Sequence, residues 1–499
     1  MSSSGTTYAS PNLVADALAA DRLGSGAVIQ FVLTAATPML VVAGLVTSGL
    51  ATTGVIAFPL AFLVFGVVLA VFSVGYTAMA RQVPNAGALY TYVARGLGRP
   101  AGVAAALVAL FSYNLLQVGL YGIAGVLASS LVEQVSGTVR PWWWFAALAW
   151  LLTAVLGVRR VDLNGRVLAV LLTAELGVVA VIDVVGFLHP ASGRVQLDAL
   201  HPAGLLSGAA AAVFAVVATG FVGFELAAVY SEESVTPRRT VPRATYLGLG
   251  LMTVVYAVSS LAVTVAVGPD RVVAAAEEQG VGLLFSIADP VLGARFTRGA
   301  QVLFLTSVIA GLISYHSAVA RYAYVLGREG VLPRVLGRTR LSTGAPAAAS
   351  VVQSAIGLAV IAVFAGAGWD PLARLFFWLG TVGGVGVLIL VAATSVSVPL
   401  YFRHGTGLDS RWRTTVAPLI AAVLLTAVAV RCLTHFPDLL GVSPGNVWAV
   451  VWPGSYAVLA LAGVVWALLL RRRDPAAYRG IGLGGHPDPT ATGERAGAA

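Results

Sequence analysis

Residues 219–225 read Thr-Gly-Phe-Val-Gly-Phe-Glu and lie in the middle of an apolar run from 207 to 231. Two glycines and a carboxylate at this depth interrupt an otherwise continuous stretch of apolar residues. A similar interruption lies in the first apolar run, 27–50, where Pro38 removes a backbone donor and clashes with the carbonyl four residues earlier. The sequence therefore predicts two long apolar helices that each break near the middle.

The composition excludes a soluble protein. Of the 499 residues, 58% are hydrophobic and 10% are charged, whereas soluble domains have about 45–50% apolar and about 25% charged residues. A helix that crosses a bilayer needs about 20 apolar residues, and the chain predicts an all-α integral membrane protein with twelve transmembrane helices. The predicted spans are roughly 27–50, 55–79, 101–131, 142–158, 166–188, 207–231, 243–268, 296–325, 345–367, 372–399, 414–432 and 449–470.

The arginines predict the orientation of these helices. The chain has no lysine, so its 30 basic residues are all arginine, and 23 of them fall on the termini and alternate connections, against 7 on the other connections. Cytoplasmic loops carry the excess of positive charge, which places both termini in the cytoplasm. The protein is predicted to lie in the plasma membrane. The net charge of +9 thus reflects topology, and no nucleic-acid partner is predicted.

The two interrupted helices divide the chain into matching parts. They begin two consecutive sets of five helices, 27–188 and 207–399, and an odd number of spans inserts the second set upside down relative to the first. Helices 11 and 12, at 414–470, follow the two repeats. Residues 1–26 form a cytoplasmic segment, and the Gly/Pro/Ala-rich tail 474–499 is predicted to be disordered.

Breaks at matching positions of two inverted halves predict a substrate site at the middle of the membrane. A break frees N–H groups that attract a carboxylate and C=O groups that attract an ammonium, and an α-amino acid carries both groups on one carbon. The alternative is that Pro and Gly only kink or closely pack these helices. The predicted substrate-binding residues at the breaks are Ala36, Thr37, Pro38, Thr219, Gly220, Phe221, Gly223 and Phe224.

Three loops resemble signatures of the amino acid–polyamine–organocation (APC) permeases. They read SEESVTPRRTVPRA at 231–244, PNAGALYTY at 84–92 and ARYAYVLGREGVLP at 320–333. The resemblance extends over roughly residues 20–470 and implies a LeuT-type fold of five-plus-five inverted helices with two extra C-terminal helices. It also implies amino acid transport. The chain departs from many relatives by having Ala36-Thr37-Pro38 in place of a Gly-Ser-Gly break, and by having Glu175 where proton-coupled relatives have a lysine.

Two carboxylates are candidates for proton coupling. Glu175 lies in the fifth span and Glu225 at the break of the sixth, and a charged residue at this depth costs about 2.5–3.5 kcal/mol on insertion scales. Glu225 also matches an acidic position that in some APC relatives is linked to proton coupling. The alternatives are that Glu225 braces the broken helix and that Glu175 bonds a neighbouring hydroxyl. Asp183, nearer the outer interface, is expected to be solvated.

Gln117 and His316 complete the predicted pocket, although polar residues also join membrane helices for about 1–2 kcal/mol or less per bond. No metal site, cofactor or enzymatic activity is predicted, because the sequence has a single cysteine and no H-E-x-x-H motif. The predicted function is a proton-coupled secondary transporter of amino acids. A polyamine or other amine permease, and a sensor that binds without transporting, are the alternatives.

Overall fold

The computed structural model describes residues 25–83, 85–158, 165–206, 208–231, 234–339, 345–403 and 410–484. The predicted N-terminal segment lies outside the described residues except for its last two positions, and so does the tail beyond residue 484. The elements in these ranges are helices, which confirms the all-α fold class.

The long helices fall at the positions that the apolar runs predict, and shorter helices lie between them. In chain order they are α1 (Ser25–Ala36), α2 (Pro38–Thr53), α3 (Phe58–Gln82), α4 (Ala88–Leu97), α5 (Arg99–Ser136), α6 (Trp142–Val158), α7 (Gly165–Leu188), α8 (Ala210–Phe221), α9 (Phe224–Ala228), α10 (Pro237–Val267), α11 (Val272–Gln279), α12 (Leu283–Arg328), α13 (Ala347–Gly366), α14 (Pro371–Phe402), α15 (Trp412–Thr434), α16 (Phe436–Leu440), α17 (Trp448–Arg473) and α18 (Pro475–Gly480).

Ten helical stretches in the described residues are long and apolar enough to cross a membrane. The apolar helices α2 and α6 are shorter, and α2 continues the line of the first apolar run after the break. The ten long stretches support a multi-pass membrane protein, and the count of twelve spans stays a prediction.

Local sequence signals set many helix ends. Proline occupies the first turn of α5, α10, α14 and α18, where its missing N–H would have no intrahelical partner. The Asp370 carboxylate accepts hydrogen bonds from the N–H groups of Leu372 and Ala373, both at 2.7 Å, and so caps α14. Gly54 and Gly137 follow α2 and α5 with φ of 66° and 67°, the left-handed conformation that commonly ends a helix.

The first predicted break is present. Helix α1 ends at Ala36, and Thr37 has φ 39° and ψ 68°, a left-handed conformation that is unusual for a residue with a branched side chain. Pro38 then begins α2. The proline cannot continue the hydrogen bonding of α1, and it fits the first turn of a new helix.

The second predicted break is also present. Helix α8 ends at Phe221, Val222 is extended with ψ 130°, and Gly223 has φ 121°. Residues Phe224–Ala228 then form a 3₁₀ helix, α9. Glycine suits Gly223 because a Cβ atom is strongly disfavoured at this φ.

Glycines let the two broken helices approach each other and the helices around them. A Cβ atom on Gly220 would lie 3.0 Å from Val41 Cγ1 across the two breaks, and one on Gly311 of α12 would lie 2.7 Å from Thr37 Cγ2. A Cβ on Gly384 of α14 would overlap the Thr219 hydroxyl and lie 2.7 Å from Thr219 Cα. Backbones this close are typical of membrane helix interfaces built on small residues.

Two features differ from the sequence-based expectations. Helices α4, α11 and α16 lie between predicted spans and were not predicted, because they are short and carry polar residues. The predicted disorder of the tail is wrong for residues 474–484: α18 forms there, and Ile481 behind it is only 3% exposed. Its buried contacts with distant loops explain this order, and local composition does not reveal them.

Candidate functional site

A small cavity lies between the two breaks. Its lining comes from both broken helices, from α5, from Tyr315 of α12 and from α14. The lining residues are Thr37, Leu40, Val41, Leu45, Leu116, Leu120, Thr219, Gly220, Val222, Tyr315, Phe376 and Gly380. These are apolar or uncharged polar residues, so the cavity surface is neutral and largely hydrophobic.

The cavity has a volume of about 30 Å³, far below the roughly 300–1,000 Å³ of pockets that hold small ligands. The surrounding helices are therefore closed around it. A molecule of the size of an amino acid fits only if these helices move apart.

Polar groups in the cavity wall are tied to the break. The Tyr315 hydroxyl donates a hydrogen bond of 3.2 Å to the Val222 carbonyl, a group left without its helical partner by the second break. The Thr219 hydroxyl donates to the Ala215 carbonyl of its own helix at 2.8 Å, and an oxygen that donates there still has lone pairs to accept a bond from a ligand.

Glu175 joins α7 to the first break. Its Oε1 accepts a hydrogen bond of 2.6 Å from the N–H of Met39, in the first turn of α2, and the residue is 4% exposed. A second small cavity next to the carboxylate has hydroxyl groups from Thr34, Thr306 and Ser307 in its lining. The carboxylate thus lies between the start of a half-helix and a group of hydroxyls.

The Glu225 side chain accepts a hydrogen bond from the backbone of the second break, which lies next to it in sequence. Its Oε2 accepts a hydrogen bond of 3.0 Å from the Gly223 N–H, and its Oε1 accepts one of 2.7 Å from the Tyr113 hydroxyl. Its own carbonyl accepts from the Tyr76 hydroxyl at 2.6 Å. Both carboxylates therefore bind N–H groups beside helix breaks, which is the geometry of a brace.

Comparison with known proteins identifies the family. A sequence model described as amino acid permease matches residues 27–430, which include both breaks and the loops that resemble APC signatures. The chain belongs to this family. It is therefore a membrane transporter and not an enzyme.

Two relatives of this permease have names that give different substrates, and the name of a third gives none. A low-affinity putrescine importer of Escherichia coli, PlaP, is 26% identical over 328 residues, which are 63% of this chain and 69% of the importer. A branched-chain amino acid permease of Lactococcus lactis, BcaP, is 26% identical over 350 residues, 63% of this chain and 68% of that permease. An uncharacterized transporter of Mycobacterium tuberculosis is 30% identical over 207 residues, 40% of this chain and 43% of that one.

The predicted substrate-binding residues of the permease fall into four groups. Thr37, Thr219 and Gly220 line the central cavity, and Ala36, Pro38 and Gly223 form the backbone of the breaks. Phe221 and Phe224 line a neighbouring apolar cavity with residues of α3 and α14. Phe221 also packs on Phe62 and Tyr256, with both ring centroids at 5.9 Å.

Gln117 and His316 form the fourth group, away from the central cavity. Gln117 Nε2 lies 3.1 Å from His316 Nδ1, and His316 Nε2 lies 2.7 Å from the Ser350 hydroxyl. The Gln117 side-chain oxygen accepts from the amide of Gln353. These residues join α5, α12 and α13, so their polar atoms satisfy each other.

The sequence-based interpretation missed most of the hydrophobic lining. Leu116 and Leu120 face the cavity from α5 with the four-residue spacing of one helix face, and Gln117, one residue further, faces elsewhere. Phe376 and Gly380 of α14 share the same spacing. A heptad-like pattern of apolar residues identifies such a face, but in a helix apolar on all sides it does not distinguish a cavity from a packed interface.

The prediction that Asp183 is solvated is wrong. This residue is only 7% exposed, and its Oδ2 accepts a hydrogen bond of 2.7 Å from the Ser259 hydroxyl of α10. Its position near the end of α7 suggested water, whereas the packing of α7 against α10 covers it.

Proposed function

We propose that this permease is a secondary active transporter of neutral α-amino acids with apolar side chains. The observation that carries the proposal is the central cavity: two half-helix ends flank a wall of leucine, valine and phenylalanine side chains. In that wall, Thr37 lies at the first break and Gly220 lies in the last turn of α8, before the second break.

The chemistry of the breaks fits the two charges of an α-amino acid. The start of a helix carries partial positive charge on its free N–H groups, and the end of a helix carries partial negative charge on its free C=O groups. At the first break, α1 ends where α2 begins, and at the second, α8 ends where α9 begins. A carboxylate near the N–H groups and an ammonium near the C=O groups leave the side chain to the apolar wall.

A diamine such as putrescine fits this cavity less well. Its second ammonium needs a carboxylate or several carbonyl groups, and the described lining has no charged residue. Glu225 lies close to the break, but both of its carboxylate oxygens already accept hydrogen bonds. A permease for organic amines is therefore the second candidate, supported by the similarity to the putrescine importer.

The substrate test combines a ligand panel with one cavity variant. We expect leucine, isoleucine and valine to raise the melting temperature of the purified protein, because a ligand that binds the folded state stabilises it. A Cβ atom on Gly380 would meet nothing within 4 Å, and this residue lines the cavity. Gly380→Ala should therefore shrink the cavity and weaken leucine binding about tenfold, as one lost methylene-sized space does, but weaken alanine binding much less.

Gly250→Ala is the matched control. Gly250 also has open space at its Cβ position, but it lies on the exposed side of α10, so this variant should bind both amino acids as the parent does. A melting shift with putrescine and none with apolar amino acids would favour the amine permease. If no amine or amino acid stabilises the protein, the proposal fails.

We propose proton coupling through Glu175, with Glu225 as the second candidate. Glu175 accepts from the Met39 N–H, and glutamine can accept the same bond through its amide oxygen. Glu175→Gln therefore keeps the brace and removes the titratable group, whereas Glu175→Leu removes both. In proteoliposomes with an inward proton gradient, Glu175→Gln should lose accumulation but keep substrate exchange, and Glu175→Leu should lose both.

Each alternative has its own outcome in this assay. Full proton-driven accumulation by both Glu175→Gln and Glu225→Gln would show that the carboxylates are braces only. Accumulation that follows a sodium gradient would identify sodium as the coupling ion, because carboxylate and hydroxyl oxygens also suit a hard cation. Ligand binding without any flux would identify a sensor.

Alternating access is the proposed mechanism. The bundle with the two broken helices rocks against the remaining helices, and the substrate stays near the midplane. The architecture proposed for this motion is a pair of inverted repeats, 27–188 and 207–399, followed by helices 11 and 12 at 414–470. The distribution of arginines supports the proposal that both termini lie in the cytoplasm. The protein is proposed to lie in the plasma membrane.

A further inference from the structure

After α17 the chain folds back and packs against the end of α12 and the start of α5. Residues 474–484, here called the tail segment, begin with Asp474, which caps α18 by accepting from the Ala477 N–H at 3.0 Å. Asp474 also forms an exposed ion pair of 3.5 Å with Arg334. The following residues are covered: Ala477 is 8% exposed and Ile481 is 3% exposed. An exposed ion pair contributes little, so burial provides most of the docking free energy.

The last residues of the tail segment fit a tight groove. The Gly484 N–H donates a hydrogen bond of 2.8 Å to Glu329 Oε1, directly after α12. Gly482 and Gly484 have φ of 77° and 64°, which favours glycine at both positions. A Cβ on Gly484 would overlap the side-chain amide of Asn85 and lie 3.1 Å from its Cγ, and one on Gly482 would lie 3.0 Å from Ala94 Cβ.

The tail segment also holds the start of α5. Arg99 donates a hydrogen bond of 3.0 Å to the Arg479 carbonyl, and its guanidinium lies 5.5 Å from the centre of the Tyr478 ring. The segment therefore contacts the loop between α3 and α4 at Asn85, the start of α5, and the end of α12. On the proposed topology these contacts are all on the cytoplasmic face.

These contacts join parts of the molecule that alternating access moves relative to each other. Helix α3 packs along α10 and against α8, the first half of the second broken helix, whereas α12 packs along α5 and α7. Asn85 follows α3, and Glu329 follows α12. Gly484 lies between these two residues, so the contacts of the segment cannot all persist when the two groups of helices separate on this face.

We infer that the tail segment is an intramolecular latch: its docking onto Asn85, Arg99 and Glu329 holds the cytoplasmic side closed, and it must leave before that side opens. This inference rests on the alternating access proposed above, but it does not depend on the identity of the substrate or the coupling ion.

Two cysteine reporters separate departure of the segment from opening of the transporter. The single native cysteine is first removed as Cys432→Ala, since Cys432 is buried and distant in sequence. Ala94→Cys, at a residue that is 6% exposed and contacts Gly482, reports departure. Ser231→Cys, at a residue that is 2% exposed and follows α9, reports opening beside the second broken helix.

Each reporter is combined with a latch variant and a matched control. Gly484→Ala introduces the overlap with Asn85, whereas Gly480→Ala, in the same segment, would place its Cβ no closer than 4.0 Å to a neighbouring atom. A chain that stops after Arg473 lacks the segment, and a chain that stops after Gly484 keeps it. Maleimide labelling is measured without substrate, and the melting temperature of each variant verifies folding.

Labelling of both reporters should be about tenfold faster in Gly484→Ala and after truncation at Arg473, as for a loss of about 1.4 kcal/mol of docking free energy. It should be unchanged in the two controls. Faster labelling at Ala94→Cys alone would overturn the latch, because the segment would leave without opening the transporter, and so would equal rates throughout. If both reporters respond but no amine is transported, the latch stands and the proposed function fails.

Discussion

At the scale of single residues, Glu175 and Glu225 each accept a hydrogen bond from a backbone N–H beside a helix break, but their other hydrogen-bond donors differ. Glu225 accepts from the Tyr113 hydroxyl as well as from the backbone beside its break, whereas Glu175 accepts from the Met39 N–H and otherwise faces a small cavity with hydroxyls. A buried carboxylate with fewer fixed donors has more freedom to exchange a proton or to bind a cation. This difference is why Glu175 is the first candidate for coupling.

Tyr113→Phe tests the role of Glu225 as a brace. The change removes the hydroxyl that donates to Oε1 of a carboxylate with no exposed surface, and an unsatisfied buried acceptor costs about 1–3 kcal/mol. We expect a lower melting temperature and slower substrate exchange. Tyr456→Phe, which removes a buried hydroxyl bonded to the Val382 carbonyl, should lower the melting temperature less and leave exchange intact. Parental exchange in Tyr113→Phe would contradict the brace.

Glu329 makes the latch sensitive to pH. Burial raises the pKa of this carboxyl from 4.5 to about 7, although the N–H groups of Gly482 and Gly484, the Tyr90 hydroxyl and the charge of Arg328 oppose the increase. Between pH 4.5 and about pH 7, the Glu329 carboxyl is protonated when the tail segment is docked and ionised when the segment has left and the carboxyl is solvated. Docking is therefore strongest below about pH 4.5, weakens as the pH rises, and reaches a constant lower strength above about pH 7.

The labelling of Ser231→Cys should consequently accelerate between pH 5.5 and 7.5. Glu329→Gln removes the titration, so the rate of the Glu329 protein divided by that of Glu329→Gln corrects for the pH dependence of the maleimide reaction itself. We expect this ratio to rise by up to roughly tenfold per pH unit, which is the limit for one titrating group. A ratio that is constant or falls with pH would contradict the assignment to Glu329.

At the scale of helices, the breaks depend on close packing of α14 against α8. Gly384→Ala would place a methyl group against Thr219, at 2.7 Å from its Cα, while Gly380→Ala, one turn earlier on the same helix, meets nothing within 4 Å. Overpacking costs about 1–3 kcal/mol. We expect Gly384→Ala to lower the melting temperature and to abolish transport, and Gly380→Ala to melt as the parent does. Equal melting of the two variants would show that α14 shifts without cost.

At the scale of the whole molecule, the long helices and their two breaks were predictable from the sequence. The length of the apolar runs and the backbone chemistry of proline and glycine determine these features. Long apolar runs need to form helices in a bilayer because their backbone groups have no other partners there. The breaks were predictable because Pro38 and Gly223 act on their own backbone, whatever surrounds them. The location of Glu175 and Glu225 near the breaks follows from the same local reasoning.

The rest depends on which way each helix faces. Gln117 was predicted in the pocket because it is polar, but it bonds His316 and Gln353, and its neighbour Leu116 lines the cavity. A rotation of α5 about its axis by one residue would bring Gln117 to the cavity in place of Leu116. A helix that is apolar on all sides gives little indication in its sequence of which face points where. The order of the tail segment depends on Asn85 and Glu329, which both lie more than 100 residues earlier in the chain.

The orientation of the whole molecule is the remaining prediction. The arginine distribution places the connection after α7 outside and the connection before α15 in the cytoplasm. Ser192 and Ser410 lie on these two connections, and both are exposed. In the Cys432→Ala protein, a membrane-impermeant maleimide should label Ser192→Cys in intact cells, and Ser410→Cys only after permeabilisation. The reverse pattern would invert the topology and place the latch on the outer face, and labelling of both positions in intact cells would mean that the number of spans between them is even.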